Sequence, residues 1–146
     1  MTAADVPQIA QLEATCFSHP WSECSVAGEL TNPLSLWLVA VENDSVIGYV
    51  GSQSVLGEAD MMNVAVSPEY RNRGIAKKLI LDLVQALKGN KVHCLTLEVR
   101  ASNEPAIHLY QSLGFAQVGC RPNYYSAPKE DALILKKEWD CEDSGN

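Results

Sequence analysis

Two short stretches carry residues whose types and spacing can do chemistry. In the first, "VAVSPEYRNRGIA", an apolar run ends at Val66, and Arg71, Arg73 and Gly74 then stand at the start of an amphipathic segment. If that segment is a helix, its opening N–H groups lack internal partners and carry partial positive charge. A glycine there removes the side chain that would hold an anion off the backbone. Two guanidinium groups add donors suited to phosphate oxygens. The stretch is therefore a candidate pyrophosphate cradle, although an Arg-x-x-Gly by itself is more ordinarily a solvated basic turn. The chain has no GxxxxGK[ST] and no GxGxxG after a strand, which argues against a nucleotide P-loop and a dinucleotide fold.

The second stretch is "LTLEVRASNEPAIHLYQSLGF". Glu98 interrupts an apolar strand pattern, where a carboxylate is costly unless it has a partner or a task. Tyr110 shares the inward stripe of the following helix with Ala106, Leu109 and Leu113, so its phenol can reach the sheet. Taken singly, each has an ordinary role, a solvent-facing glutamate and a core tyrosine with a satisfied hydroxyl. His108 falls off that stripe. His19 and His93 have no cysteine or acidic neighbours at metal-ligand spacing, and no metal is expected.

The elements that must position these residues follow from periodicity. Val6, Ile9, Leu12 and Phe17 share a helical face that starts near Asp5, and a second short helix follows Pro20 with Ser22 as cap. Leu36 to Glu42 and Val46 to Leu56 read as strands joined by "NDS", a hairpin signal. Ala59 to Val66 is a third strand. From Ala76, the positions Leu79, Ile80, Leu83, Val84 and Leu87 keep helical spacing, and Gly89 and Asn90 stop it. Val92 to Val99 is an interior strand, and "SNEP" opens a helix capped by Ser102 or Asn103. "FAQVGCR" and "EDALILKKE" pair as strands around the loop "PNYYSAPK". The order α, α, β, β, β, α, β, α, β, β implies an α/β (α+β) sandwich with a mixed central sheet flanked by helices.

Composition limits the partners. The chain has 146 residues, 47% hydrophobic and 20% charged, which suits one globular domain, expected over 1–139 with an acidic loose tail at 140–146. A formal net charge of -7 argues against nucleic acid and anionic membrane, so any basic patch must be local. The five cysteines form no CxxC pair and are odd in number, which favours a reduced, cytoplasmic protein over a disulfide framework. "MTAADVPQ" lacks the basic and apolar segments of a signal peptide, and no apolar run is long enough to cross a bilayer.

The combination of "RNRGIA" on a strand-to-helix turn, "LEVRASNEPAIHLYQSLGF", Pro20-Trp21-Ser22, and Asn123-Tyr124-Tyr125 followed by Glu130-Asp131 resembles the GNAT acetyltransferase superfamily. It is most similar to the bacterial ribosomal-protein alanine N-acetyltransferases, the RimI family, from about Asp5 to Leu135. The resemblance implies a GNAT acyl-CoA N-acyltransferase fold with acetyl-CoA as co-substrate. It would place the pyrophosphate on the turn formed by Arg71, Asn72, Arg73, Gly74, Ile75, Ala76 and Lys77. The pantetheine arm would pair with Val64, Ala65 and Val66, the Val66 N–H would polarise the thioester, and Asn103 would touch the cofactor. Glu98 matches the general base and Tyr110 the general acid, so no cysteine need act as nucleophile. Trp21, Tyr124 and Tyr125 are candidates for the peptide groove. The implied acceptor is the N-terminal alanine of a ribosomal small-subunit protein, number eighteen. A lysine side chain or a small-molecule amine is the first alternative, and a non-catalytic acyl-CoA-binding module the second. One departure stands out: the short strand that usually precedes the first helix is truncated or missing.

Overall fold

The computed structural model describes residues 1–126 and 128–140, and the expected tail falls almost entirely outside them. A 3₁₀ turn at Ala3–Asp5 leads into α1 (Val6–Cys16), and Ser22, which accepts from Ser25 N at 3.1 Å, caps α2 (Glu23–Gly28). No strand precedes α1 among the described residues. The Met1 amino group instead donates to Trp37 O at 3.2 Å, on the first strand. That strand, β1 (Ser35–Glu42), is one edge of the sheet.

β1 turns into β2 (Ser45–Val55) through Asn43 and Asp44, both at positive φ, as a two-residue turn matched to strand twist requires. A second turn of the same kind, at Leu56 and Gly57, leads into β3 (Glu58–Val66). A 3₁₀ turn at Pro68–Tyr70 precedes α3 (Ile75–Gly89). β4 (Cys94–Arg100), α4 (Glu104–Ser112), β5 (Ala116–Ser126) and β6 (Lys129–Glu138) complete the chain. The six strands lie in the order β1-β2-β3-β4-β6-β5, with only β3 and β4 parallel, so the expected mixed sheet is observed.

Each face of the sheet has its own core. Leu79, Ile80, Leu83, Val84 and Leu87 of α3 pack with Leu95, Leu97 and Val99 of β4 and with Tyr110 of α4. Val6, Ile9 and Leu12 of α1 pack with Val26, Trp37, Tyr49 and Ala65. The second core is closely fitted around Trp37, which stacks on Tyr49 at 5.6 Å. A side chain at Gly51 would come within 2.5 Å of the Trp37 ring, so this position needs glycine.

Two irregularities interrupt the regular pairing of the sheet. β2 pairs Gly51 with Asn63 and Ser52 with Met61, leaving Met62 as an extra residue in β3. β3 pairs with β4 only at Glu58–Asp60, and the two strands then part. The expected loop "PNYYSAPK" needs correction, because β5 continues through Ser126 and takes both tyrosines into the strand. The extra residues are absorbed between Arg121 and Tyr125, where Asn123 adopts φ 56. Pro122 and Asn123 read as breakers in the sequence, but here they form a bulge within a continuing strand.

Candidate active site

Where β3 and β4 separate, a cleft of about 950 Å³ opens between them. One wall is Met61 to Val66 of β3, and the other is Leu97 to Arg100 of β4. The turn before α3, the start of α4 and the segment after α1 close it. Of the residues singled out in the sequence, all but Arg73 and Tyr124 line this cleft.

The β3 wall presents backbone. Val66 pairs with Gly48 and Ser67 N donates to Ile47 O at 2.7 Å. Ladder bonds alternate along an antiparallel pair, so the polar groups of Val66 and Val64 point away from β2, toward the cleft. The Val66 carbonyl is already engaged by Arg71 Nε at 3.2 Å and faces Cys16 Sγ at 3.8 Å. Arg71 is thus used to hold the strand end against α1.

The turn before α3 also presents backbone. Gly74 is the helix cap at φ 75 and supplies no side-chain bond. The first helical bond runs from Lys78 N to Gly74 O at 3.0 Å, which leaves the N–H groups of Ile75, Ala76 and Lys77 ahead of it. A Cβ at Gly74 would meet nothing within 4 Å, so what selects glycine is the left-handed backbone. Asn72, at φ 64, makes the preceding bend. These features fit an anionic group of pyrophosphate type at the helix start. Arg73 does not join them. Its guanidinium lies over the Tyr70 ring at 5.0 Å, and the residue lines a separate hollow with Lys78 and Asp82. Asn103 caps α4, accepting from Ala106 N at 3.3 Å.

Glu98 and Tyr110 approach the cleft from opposite faces of the sheet. Leu97 and Val99 are buried toward α3 and α4, so the half-buried Glu98 between them projects to the other face. Its Oε1 lies 3.5 Å from Arg121 Nε. Its Oε2 is shielded from solvent and has no hydrogen-bond partner among the described residues. A buried orphan acceptor beside a cavity calls for an explanation, and a ligand proton is one. Tyr110 is buried on α4, and burial, with Tyr125 nearby, pushes its phenol up to about 12.

Three aromatic residues stand on the Glu98 side. Trp21 lines the cleft and also packs edge-on against Trp37 at 5.5 Å. Tyr125 lines it beneath the Arg100 guanidinium at 4.2 Å, and burial, then the Glu98 charge, raises its phenol. Tyr124 is half exposed outside the lining. The neighbouring Glu98 carboxylate, then burial, raises its phenol.

Sequence reasoning named Glu130 and Asp131 only as part of a motif and missed that they hold this side in place. Glu130 Oε2 accepts from Ser102 N at 2.6 Å, and its Oε1 lies 3.4 Å from Arg100. Those bonds, led by Ser102, keep the Glu130 carboxyl below its ordinary range. Asp131 Oδ1 accepts from Asn123 N at 2.8 Å, inside the β5 bulge. Glu13 was also missed. It is fully buried, accepting from Trp21 N and from Asn63 Nδ2, each at 2.8 Å. Burial raises its carboxyl, opposed by those two bonds. The available signal was its place on the stripe of Val6 and Ile9, where a carboxylate is out of keeping.

No group of three His, Cys, Asp or Glu among the described residues is placed to hold a metal ion. Cys16, Cys24, Cys94 and Cys120 are free thiols, and Cys141 lies outside the described residues. No described helix is long and apolar enough to cross a membrane.

This geometry can be set beside known proteins. The model of the Acetyltransferase (GNAT) family matches residues 6–115. The chain belongs to the GNAT acetyltransferase family. It is 38% identical over 138 residues to the ribosomal protein bS18-alanine N-acetyltransferase of Salmonella typhimurium, covering 92% of each chain. It is 34% identical over 145 residues to the N-alpha-acetyltransferase RimI of Mycobacterium tuberculosis, covering 94% of this chain and 89% of that one. The crystal structure of the ribosomal-protein-S18-alanine N-acetyltransferase from Escherichia coli superposes with a TM-score of 0.88 at 34% identity, covering 98% of this chain and 94% of that chain. As a GNAT acetyltransferase, the protein is an acetyl-CoA-dependent N-acetyltransferase. The cleft between β3 and β4, with its open backbone on one side and an unpartnered carboxylate oxygen on the other, is its candidate active site.

Proposed function

We propose that the protein transfers the acetyl group of acetyl-CoA to the α-amine of an N-terminal alanine, on ribosomal protein bS18, in the cytoplasm. The observation that carries this reading is the shielded, unpartnered Glu98 Oε2 beside a cleft whose opposite face presents Tyr110. The relatives of like length that bear this activity in their names support the choice of acceptor. A net charge of -7 suits a basic ribosomal substrate.

In this reading the N–H groups of Ile75, Ala76 and Lys77 hold the pyrophosphate, Asn103 adds a polar contact, and Val64 to Val66 offer strand-like pairing to the pantetheine arm. An α-amine has a reference pKa of about 8 and is mostly protonated at neutral pH. Glu98 removes that proton, directly or through one water. The freed nitrogen attacks the thioester carbon and a C–N bond forms; the nitrogen gives up its second proton to solvent, the C–S bond breaks and the sulfur leaves with its electron pair. The Val66 N–H donates to the carbonyl oxygen as it gains charge.

Tyr110 faces the departing sulfur. With its phenol at about 12, complete proton transfer to a thiolate of pKa about 8.5 runs uphill by roughly 5 kcal/mol. Tyr110 therefore acts chiefly by donating a hydrogen bond to the growing charge, and solvent completes the protonation. Trp21 and Tyr125 form the acceptor wall, with Tyr124 at its rim.

The test is acetylation by the parent protein of three acceptors in parallel: an alanine-starting bS18 peptide, a lysine peptide with a blocked N-terminus, and a polyamine. Product on the first alone, at its α-amine by mass spectrometry, is expected. Product only on lysine or polyamine would sink the acceptor assignment. Acetyl-CoA binding without turnover of any amine would sink the catalytic one.

A further inference from the structure

Glu13 is the only carboxylate buried among the described residues, and no ion pair there includes it. Its two oxygens accept from two neutral donors, the Trp21 amide and the Asn63 side chain. Stability alone gives little reason for this arrangement. A buried carboxylate with no cation loses more hydration than two neutral hydrogen bonds return, and an apolar side chain of the same size is often as good or better. What the carboxylate joins is more informative.

Trp21 ends the segment Phe17 to Trp21, four of whose residues line the cleft. Asn63 lies in β3 directly beside the extra residue Met62 and immediately before Val64, where the backbone turns toward the cleft. Glu13 itself is anchored by α1, whose Ile9 and Leu12 sit in the core below the sheet. One carboxylate thus spans eight residues to one cleft wall and fifty to the other. The segment after α1 has no ladder of its own and depends on such side-chain ties for its position.

We propose that Glu13 is a positioning residue for the acceptor, fixing the Phe17 to Trp21 wall against the β3 bulge so that an incoming amine meets the thioester end of the strand. The consequence for the acceptor rests on the acetyl-transfer reading above; the tie itself does not. Glutamine is the informative replacement. Its carbonyl can accept from Trp21 N–H, and the Asn63 amide can turn to offer its carbonyl to the new NH₂. Methionine has similar volume and can do neither.

The experiment compares the parent, Glu13→Gln and Glu13→Met by amide hydrogen exchange and by steady-state kinetics with whichever amine the parent acetylates. In Glu13→Met, exchange at residues 17–22 is expected to quicken about tenfold or more while α3 and β4 keep their protection. The acceptor KM is expected to rise about tenfold while acetyl-CoA binding stays within about twofold. Glu13→Gln is expected to recover most of both. Unchanged exchange at 17–22 in folded Glu13→Met overturns the proposal. So does a loss that falls on acetyl-CoA binding rather than on the acceptor, or a glutamine variant no better than methionine. If Glu13→Met does not fold, Asn63→Ala, which removes one donor, is judged by the same criteria. Failure of the alanine peptide with the parent would count against the proposed acceptor, whereas the exchange measurement decides the tie regardless.

Discussion

The two halves of the cleft are built differently. The half proposed for acetyl-CoA comes mainly from one stretch, Val64 to Lys77, with Asn103 beside it, and offers backbone: the open edge of β3 and the helix start behind Gly74. The half proposed for the acceptor is assembled from α1, the segment after it, β4 and the β5–β6 hairpin, and is tied by single side-chain bonds such as Glu13 to Asn63 and Glu130 to Ser102. Backbone recognition depends on few side chains, so it should tolerate substitution nearly everywhere except where the backbone conformation itself needs glycine. A wall held by isolated long-range bonds should respond to the loss of each one.

Substitutions can break or sharpen that contrast. Glu98→Gln should have the largest effect, lowering kcat by about 10²- to 10⁴-fold with acetyl-CoA binding by calorimetry unchanged. A variant as fast as the parent would remove Glu98 from the chemistry. Tyr110→Phe should lower kcat by about 10- to 100-fold, less than a full proton transfer would cost, because only a hydrogen bond to the leaving sulfur is lost. Gly74→Val forces a β-branched residue to φ 75, at about 1–2 kcal/mol of stability, and should weaken acetyl-CoA binding about tenfold. Arg73→Ala should change it little, since Arg73 lies over Tyr70 and outside the cleft. If Arg73→Ala hurts binding more than Gly74→Val, the backbone account of that half is wrong. Glu130→Gln should raise the acceptor KM a few-fold and leave acetyl-CoA binding alone; the reverse pattern would blur the two halves.

The smallest expected signal is in pH. Folding raises the Tyr110 phenol from 10 to about 12, so the folded state holds that proton more tightly. The stability this confers is fully present below pH 10 and is lost as pH rises through about 12. Between about pH 6 and 9 Tyr110 stays protonated and should add no falling limb to kcat. A falling limb in that window that disappears in Tyr110→Phe would contradict the phenol's assigned state.

Much of the frame was legible in the sequence. The ten helices and strands expected in order are those observed, because each carries its own periodicity and its own turn residues, such as Asn43 and Asp44 or the Ser22 cap. Glu98 was visible as a charge inside an apolar strand, and Gly74 as a glycine at a helix start. The β5 bulge was misread because Pro122 and Asn123 end strands more often than they kink them, and only pairing with β6 carries the strand past them. Glu13 stood out only as a carboxylate on the stripe of Val6 and Ile9, and its role was overlooked because a partner fifty residues away cannot be read from local order.

The sequence by itself determined the elements, the two amphipathic helices that cover one face, and the residue types at the strand-to-helix turn. Those depend on interactions within a few residues, which local order encodes. The tertiary structure alone decided that β3 and β4 part after three paired positions, that Arg71 is spent on Val66 while Arg73 turns away, and that Glu98 keeps one oxygen free. Each of these outcomes is a competition among partners distant in the chain, settled only when the sheet and its two cores bring them together.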